Sequence, residues 1–161
     1  MALRYVPAGI LIWILMAFVV WIVNNKRKKC GMQEMHYWST IHFVSYFLLM
    51  LVITFFSRES GDATGIDLQI GASMRINNRN NALVLENVLL FIPYGFCFCW
   101  WKQAKTFFWN GMITGFVTSL GIEILQLVTG RGIFQLDDII TNTLGCLMGA
   151  AVYKLGTKIL S

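Results

Sequence analysis

Two stretches of this chain, residues 5–23 and 35–57, contain no Asp, Glu, Lys or Arg. About 20 apolar residues let a helix cross the roughly 30 Å hydrocarbon core of a bilayer. Both runs are therefore read as membrane-spanning helices, with Tyr37 and Trp38 as interface residues at one end of the second. Three further runs follow. Residues 84–101 reach full length only with Glu86 included and close on Trp100 and Trp101, 107–128 carries the single charge Glu123, and 138–156 opens on an acidic pair and ends among lysines. Composition agrees, since 57% of the 161 residues are hydrophobic and 13% charged, against about 45–50% and about 25% in soluble domains. A water-facing surface built from this chain would be largely Phe, Leu and Trp and would aggregate.

The expected fold is an all-α integral membrane protein of about five transmembrane helices in one domain, 1–161, with an extracellular loop over 58–83. The first run is too long for a signal peptide, lacks an Ala-x-Ala site and has its basic residues after it, so it is read as a retained helix. Lys26, Arg27, Lys28, Lys29, Lys102, Lys105, Lys154 and Lys158 fall on one side of this arrangement, and Arg4, Arg58, Arg75, Arg79 and Arg131 on the other. The basic excess marks the cytoplasmic side, placing the N-terminus outside and the C-terminus in the cytoplasm. A net charge of +5, distributed in this way, does not indicate a nucleic-acid partner. The 26–29 run reads as a topology signal in contact with lipid headgroups. Cys97, Cys99 and Cys146 lie within apolar runs as small hydrophobes, so no disulfide framework is expected.

Polar groups within spans are costly and are treated as functional candidates. Here they share one depth: Glu86 and Asn87 open the third span from outside, Glu123 and Gln126 lie in the last turns of the fourth, and Asp137, Asp138 and Asn142 open the fifth. Helical spacing sorts them onto faces. Gly111, Gly115, Ser119, Glu123 and Gln126 form one stripe, and Asp138, Asn142, Gly145 and Gly149 another. Packing of the two Gly-x-x-x-Gly segments against each other is expected to bring the polar ends together, with Arg131 folding over them from a short loop and Pro93 kinking the third helix below Glu86. The expected result is an outward-facing polar cup in which four carboxylates meet Arg131, with Arg75 or Arg79 as further partners. Such a cluster calls for a shared proton, a bound cation or a cationic ligand group. The plainer alternative is structural: Arg131 ties the turn to Asp137 or Asp138, and Glu123 hydrogen-bonds Asn142 as interhelical glue. His36 and His42 fall at the opposite end, so no His-carboxylate metal site is expected, and Ser39 with His42 lacks the acid a triad needs.

The runs NVLLFIPYGF at 87–96, EILQ at 123–126, Gly130-Arg131-Gly132 and DDIITNTLG at 137–145 together resemble the VanZ-like family of bacterial membrane proteins, over residues 85–149. The resemblance implies a multi-pass protein of the bacterial cytoplasmic membrane that lowers susceptibility to teicoplanin-type lipid-bearing glycopeptides without altering the D-Ala-D-Ala terminus. It also implies that Asn87, Glu123, Gln126, Arg131, Asp137, Asp138 and Asn142 are site residues. Two functions fit. One is a binding or shielding protein whose cup engages membrane lipids, a lipid-linked cell-wall precursor or the drug itself. The alternative is a membrane enzyme acting on a lipid-linked envelope substrate, with Glu123, Asp137 or Asp138 as general base and Arg131 holding a phosphate or carboxylate. A transporter is disfavoured by the lack of an inverted repeat and of charge at mid-depth.

Overall fold

The computed structural model describes residues 6–31, 36–56, 65–71, 78–103 and 106–160. These residues form helices α1 (Val6–Lys29), α2 (His36–Phe56), α3 (Asn78–Lys102), α4 (Phe107–Val128) and α5 (Leu136–Leu160), and two short strands, β1 (Ile66–Asp67) and β2 (Phe134–Gln135). Three of the helices contain windows long and apolar enough to cross a membrane: Tyr37–Thr54, Val84–Lys102 and Phe108–Val128.

The helices extend beyond the apolar runs that predict them. α1 continues past residue 23 to Lys29, because four basic residues in its last turn suit the negative end of the helix dipole. α5 starts at Leu136, so Asp137 and Asp138 lie in its first turn, where the dipole favours acids. The expected loop at 58–83 is shorter at its end, because α3 begins at Asn78. Asn78, Asn80 and Asn81 read as turn formers, yet the first turn of a helix has N–H groups without intrahelical acceptors and accepts polar residues readily. Arg4, Arg58, Arg75 and Lys105 lie outside the described residues, and of Arg79 and His36 only the backbone is described.

α5 is the central element, packed against α3 on one side and α4 on the other. It carries two small-residue seams. A Cβ on Gly145 would strike the Val88 carbonyl oxygen of α3, and one on Gly149 the Ile92 carbonyl oxygen. A Cβ on Gly95 of α3 would in turn strike the Cys146 carbonyl oxygen of α5. Only glycine permits backbones to approach this closely. The partners advance together, so α3 and α5 run parallel. The second seam faces α4: a Cβ on Gly111 would lie 3.0 Å from that of Ala150, one on Gly115 would lie 2.7 Å from that of Cys146, and Asn142 bonds Ser119. Here one index rises as the other falls, so α4 and α5 are antiparallel. The expectation that Gly111 and Gly115 would meet Gly145 and Gly149 is thus corrected. The α5 glycines serve α3, and the α4 glycines meet the small residues Cys146 and Ala150.

α2 packs against α3, where the Tyr46 hydroxyl donates to the Leu90 carbonyl (2.8 Å), and α1 leans on α2 through Trp13 Nε1, which donates to Ser45 Oγ (3.1 Å). α3 passes through Pro93 without interruption. Trp21 of α1 packs against Phe96 of α3 and Tyr153 of α5, with ring centroids 5.3 and 6.4 Å away. The C-termini of α1, α3 and α5 therefore share one end, which carries Lys26, Lys28, Lys29, Lys102, Lys154 and Lys158. Large apolar side chains such as Leu48, Leu89, Phe116, Val117 and Met148 point outward from the bundle. Such faces suit hydrocarbon and would be an aggregation surface in water.

Candidate ligand site at the acidic end of the bundle

The polar stripe of α4 is buried along its whole length, from Gly111 through Gln126. Its register against α5 fixes the neighbours. Gly111 lies beside Ala150, Gly115 beside Cys146 and Ser119 beside Asn142, each step of four up one helix matched by four down the other. One more turn sets Glu123 level with Asp138, because both helices repeat every 3.6 residues with the same rise. Glu123 is 2% exposed, Gln126 2%, Asn142 5%, Asp138 6% and Asp137 7%. Five strongly polar side chains are thus enclosed at one end of a hydrophobic bundle, where each needs hydrogen-bond partners.

Backbone donors from two connections supply some of them. β1 and β2 pair in parallel, Ile66 opposite Phe134 and Asp67 opposite Gln135, which draws the α2–α3 connection over the α4–α5 turn. The Phe134 N–H donates to the Gly65 carbonyl at 3.0 Å. Under this cover the Gln135 N–H donates to Glu123 Oε2 and the Gly71 N–H to Asp137 Oδ1, both at 2.9 Å. Asp137 is one residue, or about 100° of helix, from Asp138 and is drawn toward Gly71 rather than along the α4 seam. Among the described residues no three His, Cys, Asp or Glu side chains converge as metal ligands would.

The amides complete the layer. Gln126 Nε2 donates to the Thr54 carbonyl of α2 (3.2 Å), and the main-chain carbonyl of Gln126 accepts from the Arg131 main-chain N–H (2.9 Å) after Gly130 turns the chain at φ 65°. Asn142 Nδ2 donates to Ser119 Oγ at 2.8 Å, so the amide expected to glue Glu123 across the helices bonds Ser119 instead. Two buried oxygens, Gln126 Oε1 and Asn142 Oδ1, have no hydrogen-bond partner among the described residues. Carboxylates and amide oxygens are acceptors, so this end of the bundle is complementary to a donor-rich or cationic group.

The remaining candidates stand further out. Arg131 and Asn87 are half-buried, Asn87 on the face that Phe91 and Tyr94 share, and Glu86 is exposed. Glu86 lies two residues before Val88, which faces α5, and so points about 200° around α3 from that seam. His42, at the lysine-rich end, donates from Nδ1 to the Trp38 carbonyl (2.8 Å) and packs against Trp13 and Trp100. Sequence reading missed the partners Gly71, Gln135 and Thr54. Each contributes a main-chain atom that any residue type would carry, so the side-chain pattern gives no signal for them.

A helical bundle with apolar outer faces, three helices long and apolar enough to cross a membrane, and a buried acidic layer at one end is the build of a membrane protein. A model of the VanZ/LLP1 family matches residues 8–157, and the chain belongs to that family. Protein VanZ of Enterococcus faecium is 33% identical to it over 79 residues, 47% of this chain and 46% of that protein. The matched stretch therefore spans less than half the length of this relative. No solved structure matches the chain.

Proposed function

We propose that the protein is a multi-pass component of the bacterial cytoplasmic membrane, acidic end outward, that lowers susceptibility to teicoplanin-type lipoglycopeptides. It does so by binding or shielding a polar group of an envelope lipid, a lipid-linked precursor or the drug. The observation that carries the reading is the level placement of Glu123 and Asp138 across the α4–α5 seam, between two amide oxygens that lack donors among the described residues: Gln126 Oε1 toward the bundle end and Asn142 Oδ1 one turn deeper. A cationic or hydroxyl-bearing headgroup supplies such donors, while the ligand's acyl chains lie against the apolar outer faces of the helices. Membership of the VanZ/LLP1 family supports the biological setting, and the six lysines at the other end support the orientation.

Expression in a teicoplanin-susceptible Gram-positive host tests this. The minimum inhibitory concentration of teicoplanin should rise, and lipid-linked precursors should keep their masses. An unchanged inhibitory concentration with protein present in the membrane would overturn the proposal, and precursors of altered mass would replace binding with catalysis.

A further inference from the structure

At the lysine-rich end, three buried hydrogen-bond donors have no acceptor among the described residues: Trp21 Nε1, Asn25 Nδ2 and Arg27 Nε. All three belong to the last turns of α1. Trp21 and Asn25 are four residues apart and lie one above the other on the same face. The Trp21 side chain is only 2% exposed and fixed in place, with its ring against Gly156 of α5, where a Cβ would strike it, and edge-on to Phe96. A buried donor left unmet is destabilising, so an acceptor is expected where one occurs. Trp21 and Asn25, stacked on one face, imply a common acceptor, whereas Arg27 lies about 200° around α1 from Asn25 and is not part of it.

The surroundings specify its charge. Lys28 and Lys29 follow on α1 on the face of Trp21 and Asn25, Lys29 one helical turn beyond Asn25, and Lys154 and Lys158 of α5 belong to the same end of the bundle. The described acids Asp67, Glu86, Glu123, Asp137 and Asp138 all belong to the other end of the bundle. An indole N–H and an amide N–H beside ammonium groups match an oxyanion, which accepts at every oxygen and carries the compensating charge. The neighbouring surface specifies what the oxyanion is attached to. Leu155 and Ile159 of α5, on either side of the Gly156 position that meets Trp21, are exposed and present an apolar wall.

We propose that α1 and α5 hold the phosphate of an anionic glycerophospholipid at this end. Trp21 and Asn25 donate to its oxygens, and its acyl chains cover the exposed aliphatic wall. The site is separate from the acidic end and does not depend on the function proposed there. It differs from diffuse attraction of a basic segment to an anionic membrane, because both of its buried donors are uncharged.

That difference provides the test. Delipidated protein in neutral detergent is titrated with dihexanoyl phosphatidylglycerol, dihexanoyl phosphatidylcholine or inorganic phosphate, and bound adducts are counted by native mass spectrometry. The variants are Trp21→Phe, which keeps a ring but removes the N–H, Asn25→Leu, and the double exchange Lys28→Gln with Lys29→Gln. One phosphatidylglycerol per chain is expected, held more tightly than phosphatidylcholine and weakened about tenfold or more by either neutral substitution. The lysine pair should matter less. Wild-type affinity in both Trp21→Phe and Asn25→Leu would overturn the proposal, as would loss confined to the lysine pair. Inorganic phosphate binding as tightly as the short-chain lipid would overturn the assignment to lipid.

Discussion

Replacing Gly149 by alanine places a methyl group on the Ile92 carbonyl oxygen of α3, with its carbon 2.8 Å from the Phe96 nitrogen and 2.9 Å from the Ile92 carbonyl carbon. Restoring ordinary contact requires α3 and α5 to part by at least about 1 Å. A gap of that size forfeits roughly a quarter to a half of the dispersion energy of each contact along the seam. Overpacking of this kind costs about 1–3 kcal/mol. Alanine returns at most about 1 kcal/mol of helix propensity. The overlap is with backbone atoms that cannot swing aside, which puts the cost at the upper end of that range, so the net expectation is a destabilisation of about 2 kcal/mol. Gly121 is the internal control, since a Cβ there meets nothing within 4 Å, and Gly121→Ala should be neutral or stabilising. Unfolding in mixed micelles of rising SDS fraction, followed by circular dichroism, measures both. A Gly149→Ala midpoint equal to wild type, or equal to that of Gly121→Ala, would refute the assignment of Gly149 to the α3 seam.

Cys30 is exposed at the lysine-rich end while Cys97, Cys99 and Cys146 are buried, so the protein carries its own topology reporter. A membrane-impermeant maleimide should leave Cys30 unmodified in intact cells and label it in opened membranes; labelling in intact cells would reverse the orientation. Ser119→Ala removes the acceptor of Asn142 Nδ2 and should cost about 0.5–1 kcal/mol in the same SDS assay. A larger loss would mean that the pair holds α4 to α5 more strongly than a single interhelical bond.

The α4 stripe was legible because Gly111, Gly115, Ser119, Glu123 and Gln126 repeat at the period of the helix, and the structure buries every one. Its partner was misread because α5 has two adjacent small-residue seams. Glycine drew attention to Gly145 and Gly149, while Cys146 and Ala150, equally small in context, form the surface that α4 meets. Periodicity tells which residues of one helix share a face, but it does not choose between two candidate neighbours, and Gly95 of α3 was the unused clue. Glu86 shares the depth of the other acids but not their direction, since depth follows from sequence position and direction from packing. The β1–β2 pairing was illegible for another reason: strands of two residues have no period, and their bonds run through the main chain.

The measurement that bears most directly on the account is a double-mutant cycle on teicoplanin susceptibility, using Glu123→Gln and Asp138→Asn at matched protein levels in the membrane. If the two carboxylates act together across the α4–α5 seam, each substitution alone should abolish most of the protection and the double variant should be no worse than either. Wild-type protection in either single variant, or losses that simply add, would contradict a shared site at this end of the bundle.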